Sequence, residues 1–374
     1  MNGIPLVRKL LFWTLQLLIA LVVLELCARG DDWLTWQAPF WGEYDAEMLF
    51  VTDSLGYHLR PNGRFQKWQV NSHGFRGPEI TVEKPAGVRR IITVGASETF
   101  GLYESPGKEF PAQLQSLLDQ QRPGKYQVLN AGIPGISPSR IGHYFETWLR
   151  RFSPDIVIYY PTPSFILVPP EAPQAWTRQQ ESEPGFRFSP RIIAKIRDLY
   201  KRIAPQPVQT YVRQLLVERA VRSHPAGWVL ASVPPERVGA FREALVGLAQ
   251  LVRANGSEIV FATHGSRIAR GDTKEERALL VAWRNQWPNR TEACLMEMEV
   301  RTNEVITELG ARHQIPVADI NSRIPKSAEY FADFVHFTDS GAALAARSLM
   351  SRVLEMEAAL RRRVDPPSID SATR

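Results

Sequence analysis

Five short apolar runs, each followed by a stretch with helical spacing, constrain this chain more than any other feature. Residues 91–94, 127–130, 155–160, 258–262 and 316–320 read as strands, with 155–160 the most strongly apolar. Apolar residues recur every three or four positions over 110–118, 141–152, 238–252, about 292–313 and 340 to about 362, which predicts helices. Strands that alternate with helices build crossover units, and their helices cover both faces of a parallel sheet. The expected fold class is therefore α/β, a three-layer sandwich around a mainly parallel five-stranded sheet.

The N-terminus adds a second constraint. Residues 10–28 are almost free of charge, interrupted only by Thr14, Gln16 and Glu25. A membrane-spanning helix needs about 17–25 such residues. Arg8 and Lys9 precede the run, and Asp31 and Asp32 follow it. That asymmetry predicts a membrane anchor with a cytoplasmic N-terminus and the rest of the chain outside the cytoplasm. A cleaved signal peptide and a buried core helix are the alternatives. No clear small-x-small cleavage site follows the apolar run, and the bulky Leu26 before Cys27 makes a poor lipoprotein signal.

The chain divides on this reading into an anchor (1–30), an extracytoplasmic accessory segment rich in Trp, Gly and Pro (31–88), the α/β domain (89–363) and a disordered tail (364–374). A Pro- and Arg-rich insertion at about 169–235, helical between 191 and 222, interrupts the alternation. The net charge of +6 is spread along the chain. Its densest run, Arg361, Arg362 and Arg363, reads as a solvated helix end, and no basic stripe interleaved with aromatics points to nucleic acid. Cys27 and Cys294 are the two cysteines. They form neither a disulfide framework nor a zinc-binding spacing.

Chemistry in an open parallel sheet collects at the carboxyl ends of the strands. Gly95-Ala96-Ser97-Glu98-Thr99-Phe100-Gly101 directly follows the first strand, and its glycines permit a tight turn that would leave the Ser97 hydroxyl at the sheet edge. A serine nucleophile needs a base, and the base needs an acceptor to orient it. Asp333-Phe334-Val335-His336 lies just before the last helix, with an Asp placed to reach one imidazole nitrogen and leave the other free for the serine. Each motif alone is weak, since a serine often caps a helix and an Asp-x-x-His is often a surface pair.

Together they resemble the SGNH (GDSL-like) hydrolases. Gly95-x-Ser97-x-Thr99-x-Gly101 resembles the family's first block, Asn130-Ala131-Gly132 its second, and Asp333-x-x-His336 its fifth. The upstream Asn71-x-x-Gly74-Phe75-Arg76-Gly77 is similar to a segment of membrane-anchored bacterial members. The resemblance runs from about 90 to 362 with the insertion set aside. It implies the flavodoxin-like SGNH fold, a Ser97–His336–Asp333 triad, an oxyanion hole from the N–H groups of Ser97 and Gly132, and no metal or organic cofactor. Two positions depart from the pattern. Ala96 replaces the usual aspartate before the serine. In the third block the asparagine that donates to the oxyanion is missing, and Pro161-Thr162-Pro163-Ser164 stands in its place. Thr162, Ser164 and His264 are the candidate substitute donors, although His264 also reads as a structural residue.

The activity implied is that of a serine esterase on O-acyl groups, with acetyl first, of an envelope or exported polysaccharide. Its partners would be an acylated carbohydrate, the inner membrane and polysaccharide-modification machinery. Two alternatives stay open. One is an O-acyltransferase that decorates a glycan, and the other is a non-catalytic glycan-binding or assembly protein.

Overall fold

The computed structural model describes residues 4–53, 56–167 and 190–364. The tail beyond 364 and the first part of the insertion, 168–189, lie outside the described residues. Helix α1 (Ile4–Trp36) opens the chain and continues six residues past the anchor boundary expected at 30. It contains an apolar stretch long enough to cross a membrane, none of it buried in the protein. The accessory segment then forms two small antiparallel pairs, β1 (Phe50–Asp53) with β2 (Gly56–Leu59) and β3 (Arg64–Phe65) with β4 (Trp68–Gln69).

The α/β core begins with β5 (Arg89–Val94), the short α2 (Ser97–Phe100), α3 (Phe110–Gln121), β6 (Tyr126–Asn130), α4 (Pro138–Thr147) and β7 (Ile156–Tyr159). The insertion follows as α5 (Arg191–Ile203) and α6 (Gln206–Arg222). A single helix over 191–222 does not form. Ala204, held extended by the Pro205 that follows it, breaks the run. The alternation resumes with α7 (Pro235–Ala254), β8 (Glu258–Ala262), α8 (Lys274–Gln286), α9 (Glu292–His313), β9 (Val317–Ala318), α10 (Ile320–Arg323) and α11 (Asp339–Val364). Helix α8 had no counterpart in the expected elements, although Thr273 and Glu276 form a reciprocal capping box at its start.

The five strands are all parallel, in the order β6-β5-β7-β8-β9. This is the doubly wound order in which the first strand lies inside the sheet. Successive side chains of a strand point to opposite faces, so a sheet covered on both sides needs strands that are apolar throughout. Ile92, Val94, Val157 and Phe261 pack with α4, α7 and α9, and the same layer takes in Leu59 and Phe75 of the accessory segment. Ile91, Ile158 and Val260 pack with Phe110 and Leu114 of α3 and Ala345 and Leu349 of α11. The fold is the one the SGNH resemblance implies.

Candidate active site

The progression of strands across the sheet reverses between the parallel neighbours β5 and β7, and the loops leaving the carboxyl ends of these two strands form the site. Gly95 allows the first loop to turn there. A Cβ at this position would come within 2.5 Å of the Tyr160 carbonyl oxygen, which belongs to the neighbouring loop. Ser97 then begins α2, so its backbone N–H has no partner within the helix. At the other end of α2, Gly101 takes up φ +85°. The Arg76 guanidinium donates to the carbonyls of Phe100 (2.6 Å) and Gly101, the last of the helix.

That contact gives the accessory segment a structural task. Asn71 Oδ1 accepts from the N–H groups of His73 (2.9 Å) and Phe75 (3.0 Å) and closes a turn. Arg76 N–H then donates to Asn130 O at 3.1 Å, pairing with the exposed edge of β6. The Asn71–Gly77 stretch thus holds both α2 and the β6 edge.

The loop before α11 returns to the same rim. Asp333 Oδ1 accepts from the N–H groups of Val335 (2.9 Å) and His336 (2.8 Å), while Oδ2 lies 2.8 Å from His336 Nδ1. His336 Nε2 lies 2.9 Å from Ser97 Oγ. The structure therefore brings Ser97 to an Asp333–His336 pair more than two hundred residues further along the chain. Burial pushes the Asp333 carboxyl up, but the His336 charge and its hydrogen bonds outweigh this and hold it below its ordinary value. Burial pushes His336 down. Asp333, followed by Glu98 and Glu104, outweighs that and holds the imidazole above its ordinary value.

A second polar chain approaches Ser97 from the opposite side. Ser97 Oγ donates to Glu98 Oε2 at 3.0 Å, and Thr162 Oγ1 donates to the same oxygen at 3.0 Å. Glu98 Oε1 lies 3.3 Å from His264 Nε2, and His264 Nδ1 lies 2.7 Å from Glu299 Oε2. Glu98 and His264 are fully buried. Burial alone would lower the His264 pKa, but the flanking carboxylates raise it to about 9. Burial likewise opposes ionisation of Glu98, yet the His264 hydrogen bond and the neighbouring positive charges keep its carboxyl below the ordinary range.

Ser97 has one hydroxyl proton and two acceptors. When that proton goes to Glu98, His336 donates its own Nε2 proton to Ser97 Oγ and is an imidazolium. When His336 is neutral, Nε2 accepts the serine proton and the hydroxyl is poised for attack. Tyr103 stands half-exposed at the rim, its ring tilted against that of His336 with centroids 5.1 Å apart. Buried Glu104 is pushed up to about 7 by burial.

The other residues singled out from sequence fall into place differently. Gly132 follows β6 and packs directly on the backbone of α2. Its N–H donates to Asn130 Oδ1 at 3.1 Å. Thr162 faces the site, but its hydroxyl is directed at Glu98. Ser164 Oγ accepts from Trp283 Nε1 at 3.1 Å, under α8 and away from Ser97. His264 is held on both nitrogens by carboxylates. Of the three candidate substitute donors, Thr162 and His264 each reach Ser97 through the single carboxylate of Glu98, and Ser164 is turned to Trp283. Glu98 and Glu299 received no role from sequence. Glu98 sat inside the Ser97 motif, and Glu299 shares the inward face of α9 with Asn303, whose amide exchanges hydrogen bonds with the backbone of His264.

No family model matches the sequence, and no curated protein does. Solved structures with a similar fold include a lipase/acylhydrolase from Enterococcus faecalis, at 15% identity and TM-score 0.41, covering 72% of this chain and 97% of the other. An acetylxylan esterase from Geobacillus stearothermophilus matches at 12% identity and TM-score 0.42, over 72% and 96%. A lipolytic protein of the G-D-S-L family from Desulfitobacterium hafniense matches at 10% identity and TM-score 0.40, over 70% and 98%. Likeness at this level does not decide activity.

Proposed function

We propose that this protein is a membrane-anchored serine esterase of the SGNH type that removes O-acyl groups, acetyl foremost, from an envelope or exported polysaccharide. The observation that carries the reading is the unbroken hydrogen-bonded series from Asp333 through His336 to Ser97, at 2.8 and 2.9 Å. His336 takes the Ser97 proton as Oγ attacks the ester carbonyl, and Asp333 fixes the imidazole tautomer and stabilises its cationic form. The N–H of Ser97 faces the developing oxyanion, and the N–H of Gly132 joins it when the Asn130 side chain that accepts from it swings aside. Collapse of the tetrahedral intermediate expels the sugar hydroxyl, which takes the proton back from His336. Water then attacks the acyl-enzyme with His336 again as base. The polysaccharide and the acetyl group come from the family resemblance and from the extracytoplasmic placement that the charge pattern around α1 implies.

Incubation with an acetylated glycan, followed by mass spectrometry of the peptide bearing Ser97, tests nucleophile and activity together. An acetyl adduct on Ser97 that is absent from Ser97→Ala, with release of free acetate, is expected. Acetyl transfer to an unmodified glycan in place of acetate release would make the protein a transferase. If a fluorophosphonate fails to label Ser97 at all, the protein is not a serine hydrolase.

A further inference from the structure

Helices α5 and α6 carry apolar stripes that nothing in the described protein covers. On α5, Ile193, Ile196, Leu199, Tyr200 and Ile203 recur every three or four residues or lie side by side on one arc. On α6, Val208, Tyr211, Val212 and Leu215 do the same. These side chains are between 36% and 67% exposed. Apolar surface of this extent on adjacent elements marks a contact with something else.

The opposite arc of α5 is polar and cationic, with Arg191, Lys195, Lys201 and Arg202. Through this arc the helix is fastened to α1. Lys195 Nζ reaches Asp31 Oδ2 at 2.5 Å and Asp32 Oδ1 at 2.7 Å, and the Ile192 N–H donates to Glu25 Oε2 at 3.0 Å. Glu25 is the first charged residue along α1 after Lys9, close to the end of the apolar run, and Arg29, Asp31 and Asp32 follow it. Helix α5 therefore starts at the level where the membrane-crossing part of α1 gives way to polar surroundings. A helix with one apolar arc, a basic opposite face and a fixed position at that level has the pattern of an interfacial helix.

We propose that α5 and α6 lie in the interfacial layer of the bilayer crossed by α1, with their stripes among the acyl chains and the exposed Lys201 and Arg202 against anionic headgroups. The proposal rests on the reading of α1 as an uncleaved anchor. Helix α6 also packs on α8, and the two wall a cavity of about 1070 Å³ that extends to Asp333 and Phe334. Seating α6 on the bilayer therefore holds the approach to the triad at the membrane surface.

The test uses the full chain in vesicles of phosphatidylcholine and phosphatidylglycerol. Cys27→Ser removes the exposed thiol, Cys294 is buried, and a nitroxide is attached at Ile196→Cys or Leu215→Cys. Leu18→Cys on α1 reports the anchor, and Val300→Cys on the exposed face of α9 reports solvent. Labels at 196 and 215 should follow the label at 18, relaxed more by oxygen than by a water-soluble nickel complex, with the reverse at 300. Labels at 196 and 215 that behave like 300 while 18 reads as embedded overturn the proposal and leave the anchor intact. Protection from both reagents also overturns it, because protein and not lipid would then cover the stripes. A solvent-exposed label at 18 removes the anchor and this proposal with it. Fluorophosphonate labelling of Ser97 at the parent rate verifies that each variant is folded, and either of the two stripe positions suffices.

Discussion

Replacement of Gly132 by alanine has a steric consequence that can be worked from the coordinates. A Cβ there would stand 2.8 Å from the carbonyl carbon of Thr99 and 2.9 Å from the Cα of Phe100, with the Phe100 backbone nitrogen nearer still. Ordinary contact begins near 3.4 Å, so these atoms must separate by about 0.5 Å or more. All of them are backbone atoms of the helix that begins with Ser97, and no side chain can rotate away to relieve the overlap. A displacement of about 1 Å in a reacting group lowers rate by about 10²-fold, and overpacking destabilises by about 1–3 kcal/mol. Gly132→Ala should therefore slow both fluorophosphonate labelling of Ser97 and hydrolysis of 4-nitrophenyl acetate by about 10²-fold, with a lower Tm. Gly142→Ala on α4, where a Cβ meets nothing within 4 Å, is the matched control and should leave both rates unchanged. Parent-like labelling of Gly132→Ala would refute the claim that this glycine holds the nucleophile in place. Equal slowing in both variants would show that the defect is not local.

Asp333→Asn should lower kcat by about 10⁴-fold, because an amide that donates to Nδ1 selects the wrong imidazole tautomer. Steady-state kinetics on an activated acetyl ester, with circular dichroism to verify folding, measure it. The proposed mechanism requires neutral His336, whose pKa is raised, so the rate should fall as pH drops through that raised value. Glu98→Gln removes one cause of the raise, and the acid limb of the kcat/KM profile should move to lower pH. An unmoved limb would mean that Glu98 does not bear on the imidazole. His264 gains its partners on folding, with its pKa raised from 6.5 to about 9. The stability it contributes is fully present below pH 6.5 and is lost as pH rises through about 9. The Tm difference between the parent and His264→Gln should accordingly shrink between pH 6 and pH 10, as read by scanning calorimetry.

Much of the fold could be read directly from the sequence, because the signals are local. A strand buried on both faces must be apolar throughout, and a helix packed on a sheet must be apolar every third or fourth residue. Those periods located β5 to β9, and α9 at Glu292–His313. Asp333 and His336 lie three residues apart, so their pairing needs one turn of chain and no tertiary information. The break between α5 and α6 was also legible in Pro205, and α8 in its Thr273–Glu276 cap, although periodicity alone points to neither.

What tertiary structure decided was which distant residues meet. The strand order puts the ends of β5 and β7 side by side. Glu98 and Thr162 then touch, and His264 at the end of β8 arrives beside them with Glu299 from α9. Nothing in the spacing of these residues predicts a buried carboxylate–imidazole chain, because each alone is an ordinary polar residue and its charge is stabilised only by the others. The same holds for Arg76, whose role as the cap of α2 depends on an edge contact with β6. Local patterns marked out Ser97, Asp333 and His336, and long-range packing chose what surrounds them.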